Sequence, residues 1–186
     1  MKLLLASKSP RRRQLLAALD IPVEIVDVDV EERLEGAVPA SEVAERLACL
    51  KAEGYQKGLE ESEVLVTADT VVVHRDVVLG KPHSREEACA MLRDLSGDVH
   101  VVYTGVCLRS ATAERHFTEA TQVWFKELTD EEIAYYVDTY KPYDKAGAYG
   151  IQEWIGLVAI SRLEGCYYNV MGLPVARLYK ELNGLI

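Results

Sequence analysis

Along this chain the spacing of apolar residues switches repeatedly between every second position and every third or fourth. That alternation admits a mixed α/β fold and excludes an all-helical one. Lys2 to Ala6 reads as a buried strand. Ser9 then offers a hydroxyl cap and Pro10 a first helical position, which predicts a helix from Pro10 to about Leu19 with Leu15, Leu16 and Leu19 inward. Val23 to Val28 reads as a second strand, and Val43, Leu47 and Leu50 recur at helical spacing after Pro39. In "EVLVTADTVVVHRDVVLGKP" two β-branched runs flank "HRD", which predicts a strand, a turn and a returning strand. Ser84 with Glu87 and Thr129 with Glu132 are capping boxes. The first opens a helix ending near Leu95; the second opens one whose Ile133, Tyr136, Val137 and Tyr140 share a face. Between them, "VHVVYTGVCLRS" and "RHFTEATQVWFKEL" suit paired antiparallel strands. "KPYDKAGAYGIQ" breaks the period and reads as a loop. "LVAISRLEG" reads as a strand, and a helix runs from Pro174 through Leu182.

With 186 residues, 49% of them hydrophobic, the chain buries one sizeable core, so one domain spanning residues 1–186 is expected, with two lobes around a central cleft. The net charge of -9 disfavours a broad nucleic-acid surface, which must neutralise many phosphates, whereas a small anion needs only a local positive pocket. Four cysteines without CxxC spacing suggest a reducing, cytoplasmic setting. No apolar run nears the roughly 18 residues of a membrane span, and "MKLLLAS" is too short for a signal peptide, so neither membrane insertion nor secretion is expected.

Against that acidic background "ASKSPRRRQLL" concentrates cations. A strand that runs through a polar turn into a helix presents free N–H groups and the positive end of the dipole, and Ser7, Arg11 and Arg12 add donors at the same point. The segment is equally compatible with an ordinary capped helix whose arginines sit in water, although cations at a helix N-terminus oppose the dipole. Asp69 is either a strand-end Asp bonding nearby backbone or a general base or metal ligand at a sheet's carboxyl end. Lys81 in "GKP" either lies in solvent or points at phosphate. The acidic run Asp27, Asp29, Glu31, Glu32, Glu35 taken alone reads as a solvated rim. P-loop, dinucleotide-fold, HExxH and GxSxG signatures do not occur, and the four histidines lack ligand spacing. Cations, hydroxyls and carboxylates remain, which are the parts of hard-metal chemistry on phosphate anhydrides.

"LLASKSPRRRQLL", "ERLACLKA", "VTADTVVV", "LGKP", "DKAGAYGIQ" and "CYYNVMGLP", in that order over almost the whole chain, resemble the Maf family, first named as septum formation inhibitors and understood as nucleoside triphosphate pyrophosphatases. The resemblance implies an elongated mixed sheet with surrounding helices, two lobes around a cleft, similar to the inosine triphosphate pyrophosphatases. It further implies hydrolysis of a nucleoside triphosphate to the monophosphate and pyrophosphate with a divalent ion, Mg2+ or Mn2+, held by Glu32 and Asp69. Ser7, Arg11 and Arg12 match the family's phosphate-holding turn, Lys51 a lysine carried on a helix into the site, and Asp69 the residue that activates water. Lys81 and Gln152 complete the pocket, and Thr70 and Gln152 are placed to read the base edge. Thr70 directly after Asp69, with the "KAGAYGIQ" loop, is similar to the members acting on dTTP and UTP. Gly54 departs from the family's usual helix and predicts that Lys51's helix ends early. The same resemblance carries a possible homodimer, and its historical name carries a rival reading as a non-catalytic nucleotide-binding regulator of cell division.

Overall fold

The computed structural model describes residues 1–185. Seven strands form one mixed sheet: β1 (Lys2–Leu5), β2 (Val23–Ile25), β3 (Glu63–His74), β4 (Val77–Leu79), β5 (Val99–Arg109), β6 (Glu114–Phe125) and β7 (Ile160–Glu164). Their order is β2-β1-β3-β5-β6-β7, with β4 paired to β3. β1 lies parallel to both β2 and β3, with Leu5 opposite Ile25 on one side and Val66 on the other, while β3/β4 and β6/β7 are antiparallel. Among the described residues seven α-helices and a short 3-10 helix (Ala146–Ala148) accompany it: α1 (Pro10–Ala17), α2 (Ala40–Glu53), α3 (Arg85–Leu95), α4 (Asp130–Tyr140), α5 (Trp154–Val158), α6 (Tyr167–Met171) and α7 (Val175–Asn183). The chain divides into two compact units. The first holds residues 1–70, 104–119 and the stretch from 172 on; the second holds 71–103 and 120–171.

In the first unit Ser9 caps α1 by accepting from the Arg12 N–H, with Pro10 at the first position, but α1 ends at Ala17 and leaves Leu19 beyond it. β2 likewise stops at Ile25 rather than reaching Val28; Val26 and Val28 instead pack against the cluster of Leu4, Ala48, Ala52, Leu65 and Cys107. α2 turns Ala44, Ala48 and Ala52 inward, whereas the expected Val43, Leu47 and Leu50 are only half-buried. The reason lies on the facing strand. A Cβ at Gly105 of β5 would sit 2.2 Å from the Glu45 nitrogen, so helix and strand backbones touch and only alanines fit between them. α2 ends at Glu53 with Gly54 as its cap, as the glycine predicts.

In the second unit Arg75 and Asp76, both at positive φ, form the tight turn between β3 and β4. Thr129 and Glu132 make the full capping box of α4. Ile133, Tyr136 and Val137 are buried, while Tyr140 stacks on Tyr136 yet stays exposed. "KPYDKAGAYGIQ" is not a surface loop: Ala148, Tyr149 and Ile151 are core residues. Gly147, at φ +69, makes the turn that puts them there, and a Cβ at Gly147 would press on the Val72 side chain at 3.1 Å. The expected strand "LVAISRLEG" begins only at Ile160. Leu157 lies in α5 and is 85% exposed, so its apolar character signals no core position.

His74 is almost fully buried, with its ring nitrogens 2.8 Å from Asp94 and 3.0 Å from Asp98. Nearby, His100 packs edge-on against Phe125 and Tyr149, its Nε2 is 2.6 Å from the Tyr149 hydroxyl, and its Nδ1 has no partner among the described residues. Burial pushes His100 down to about 3, and the charge on His74 adds to this. The folded value lies below the unfolded one of about 6.5. Stability is therefore fully present above pH ~6.5 and is lost as pH falls toward 3, by on the order of a few kcal/mol. The urea midpoint should drop across that range. His100→Phe should flatten the drop, and an unchanged slope in that variant would remove His100 as its source.

Candidate active site

In the first unit the turn Ser7–Ser9 carries β1 into α1, and its hydroxyls face backbone donors: Ser9 N–H donates to Ser7 Oγ at 3.2 Å and Arg12 N–H to Ser9 Oγ at 3.5 Å. The Arg12 side chain turns back over the strand end. Its Nε donates to the Gly172 carbonyl at 2.8 Å and its Nη1 to the Ala68 carbonyl at 2.9 Å and Ser7 Oγ at 3.5 Å. Its Nη2 donates to Thr70 Oγ1 at 2.9 Å. Burial pulls this guanidinium below its ordinary value; Asp69 pulls it back, Arg11 opposes it, and Glu32 again favours the charge. Arginine nonetheless stays cationic. Four of its five N–H donors thus meet two carbonyls and two hydroxyls, so Arg12 shapes the turn and brings its charge there. The Thr70 hydroxyl accepts from Arg12 and lies 2.8 Å from Thr104 Oγ1 and 3.4 Å from the Gly172 carbonyl.

Alternation along β3 separates two sets of partners. Leu65, Thr67 and Asp69 share the face toward α2. There the buried Thr67 hydroxyl donates to the Ala48 carbonyl at 2.7 Å and locks the helix's last turns against the strand. Lys51, in the last turn of α2, consequently reaches Asp69: Nζ lies 2.6 Å from Oδ1 and 3.2 Å from Glu32 Oε2. Lys51 and Asp69 are 14% and 17% exposed, and Glu32 is 54% exposed. Of the acidic run, Glu32 is thus the carboxylate brought to Lys51. Asp69 and Glu32 each present a hard carboxylate oxygen to this one positive charge, and they are the residues that could hold a divalent ion. Among the described residues no group of three or more His, Cys, Asp and Glu converges, so substrate oxygens and water would supply the other ligands.

Lys81 and Gln152 belong to the second unit. Lys81 is exposed just after Gly80, whose carbonyl accepts from Gly147 N–H at 3.0 Å. Gln152 is exposed, and its amide and the Lys145 side chain approach over Gly150, where a Cβ would meet Gln152 Nε2 at 3.0 Å and Lys145 Cε at 2.9 Å. Lys145 is buried, with Nζ 2.8 Å from Asp144 and 3.1 Å from Glu153. The Tyr136 hydroxyl donates to Glu153 and accepts from Gly150 N–H at 3.1 Å; burial first, then Glu153, raises its pKa and keeps it a neutral donor. Lys145 and Glu153 went unnoticed in the sequence. Their signal was the tract "DKAGAYGIQE" itself, since a buried lysine needs a carboxylate and Glu153 follows Gln152 directly.

The family model described as Maf-like protein matches residues 2–185. A protein of Porphyromonas gingivalis named dTTP/UTP pyrophosphatase is 52% identical over 185 residues, covering 98% of this chain and 93% of its own. Proteins of the same name from Phocaeicola vulgatus and Parabacteroides distasonis are 49% identical over 185 residues and 50% over 183, covering 96% and 95% of their own lengths and 99% and 98% of this chain. A solved structure of the Staphylococcus aureus Ham1 protein aligns with TM-score 0.44 at 17% identity, covering 70% of this chain and 73% of that one.

Proposed function

This chain belongs to the Maf-like protein family, and from that premise we propose that its 186 residues act as one catalytic domain that hydrolyses nucleoside triphosphates, dTTP and UTP foremost, to the monophosphate and pyrophosphate. The observation that carries the reading is the Lys51 ammonium bridging Asp69 and Glu32, on the strand whose next residue is held by Arg12. In this reading Asp69 accepts a proton from the attacking water while Lys51 orients its carboxylate through Oδ1. The water oxygen bonds to the α-phosphorus, the bridge to the β-phosphate breaks, and pyrophosphate leaves. Ser7 and Arg11 receive phosphate oxygens at the start of α1. Arg12 adds charge there while holding the turn in shape, and Lys81 opposes the negative charge that grows on the leaving group. Glu32 and Asp69 would hold a divalent ion, Mg2+ or Mn2+, which when bound neutralises phosphate oxygens. Gln152 offers an amide to the base edge. Gln152 is exposed, so it selects a pyrimidine only where the bound base shuts water out and a mismatched edge leaves its amide unpaired.

The remaining expectations belong to the same proposal. Free Cys49, Cys89, Cys107 and Cys166 support a cytoplasmic setting, and the net charge of -9 supports a substrate that is a small anion rather than nucleic acid. A homodimer is part of it too, and sedimentation equilibrium tests that point. No helix among the described residues is long and apolar enough to cross a membrane. The decisive assay incubates the protein with Mg2+ and a panel of triphosphates and resolves the products. Pyrophosphate from dTTP and UTP ahead of the purine nucleotides is the expected result. Orthophosphate as the product would contradict the bond assignment, and no turnover would contradict catalysis.

A further inference from the structure

The backbone contact between α2 and β5 at Gly105 and Glu45 continues one register further along both elements. Cys107 lies two residues beyond Gly105 and so on the same face of β5. Cys49 lies one helical turn beyond Glu45 and so on the same side of α2. Cys49 packs against the buried cluster that contains Cys107, Ala48 and Ala52. They differ in access: Cys107 is fully buried, whereas Cys49 is half-buried and helps to wall a surface cavity of about 430 Å3 that Leu34, Arg46, Leu50 and His116 also line. All of these residues belong to the first unit.

We propose that Cys49 is an oxidant-sensitive modification site with Cys107 as its resolving thiol, so that peroxide closes a disulfide between α2 and β5. The inference does not rest on the proposed reaction. The electrostatics of the pair agree with it. Interaction with Cys107 lowers the Cys49 thiol, with His116 helping and partial burial, Glu114 and Glu45 opposing, while the same interaction and burial raise Cys107. The shift favours the thiolate on Cys49, the sulfur that lines the cavity, where an oxidant can arrive. It attacks one oxygen of hydrogen peroxide. The O–O bond breaks, the sulfur gives up two electrons, and Cys49 sulfenic acid forms as the other oxygen leaves as water. The Cys107 sulfur then displaces that hydroxyl, which departs as a second water with the Cys107 proton. Two thiols and one peroxide have become one disulfide and two waters.

The test treats the full chain with stoichiometric hydrogen peroxide, alkylates what remains reduced, and maps the peptides by mass. The expected result is loss of two alkylatable thiols, one Cys49–Cys107 cross-linked peptide pair lighter by two hydrogens, Cys89 and Cys166 still alkylated, and full recovery with dithiothreitol. Cys107→Ala should lose the cross-link and leave Cys49 as a sulfenic acid that dimedone traps. Cys49→Ser, at the half-buried position, should leave Cys107 fully alkylatable in the unfolded digest and decides the matter if the core variant fails to fold. Oxidation that reaches Cys166 first, or Cys49 oxidised in the parent chain without a link to Cys107, overturns the proposal.

Discussion

Asp69→Asn should leave the protein folded while pyrophosphate release from dTTP falls by about 10^2–10^4-fold, the range set by removing a general base. The substitution keeps shape and volume. The Asn carbonyl still accepts from Lys51 where Oδ1 did at 2.6 Å, and Glu32 remains 3.2 Å from the ammonium, so the charge is not abandoned. Stability should fall by no more than about 1–2 kcal/mol, because a partly solvated pair is replaced by a charge-assisted hydrogen bond. Thermal melts and initial rates on the same preparation separate the two effects. Near-parental turnover would remove Asp69 as the base, and collapse of the fold would reassign it to structure.

Gly105→Ala should be among the most destabilising single-methyl additions available in the first unit, by about 3 kcal/mol or more. The new carbon would lie 2.2 Å from the Glu45 nitrogen and 2.3 Å from the Ala44 carbonyl carbon, and backbone cannot rotate aside as a flexible side chain can. α2 must therefore move. The Thr67–Ala48 bond at 2.7 Å and the Lys51–Asp69 bond at 2.6 Å lie along the same helix, so turnover should fall together with the melting temperature. Gly58→Ala serves as the control, since no atom lies within 4 Å of a Cβ there, and it should stay within about 0.5 kcal/mol of the parent. A Gly105→Ala protein that melts with the parent would mean the helix and strand are not in contact.

The readable parts of this sequence were those governed by neighbours in the chain. Ser9 with Pro10, Thr129 with Glu132, and Arg75 with Asp76 act within three or four residues, and each element begins or turns where these residues predict. What was hidden depends on distant partners. Nothing local indicates that Ala44, Ala48 and Ala52 outrank Val43, Leu47 and Leu50 as core, because the deciding residue is Gly105. Tyr149 and Ile151 sit in an aperiodic tract, yet they are buried through a glycine turn bonded to Gly80. Leu157 misleads in the opposite sense, being apolar, flanked by apolar residues and exposed. In the candidate site, residue types singled out Asp69, whereas Lys51 and Glu32 came only with the family resemblance, the acidic run by itself reading as a solvated rim. Residue types could not tell that Arg12 and Thr70 face each other and the protein, because Arg12's acceptors come from Ala68 and Gly172, far along the chain.

The bond from Arg12 to the Gly172 carbonyl joins residues 160 positions apart. Translation proceeds from the N-terminus at roughly 5–20 residues per second, so the guanidinium emerges from the ribosome many seconds before its acceptor exists. Until residue 172 is made, Arg12 Nε lacks this acceptor, although Ser7, Ala68 and Thr70 already offer theirs. A message truncated before the codon for Gly172 would yield a protein containing Asp69, Lys51 and Glu32 but lacking the carbonyl that clasps Arg12 over the strand end. The turn that opens α1, made among the first residues, is thereby closed only by one of the later ones.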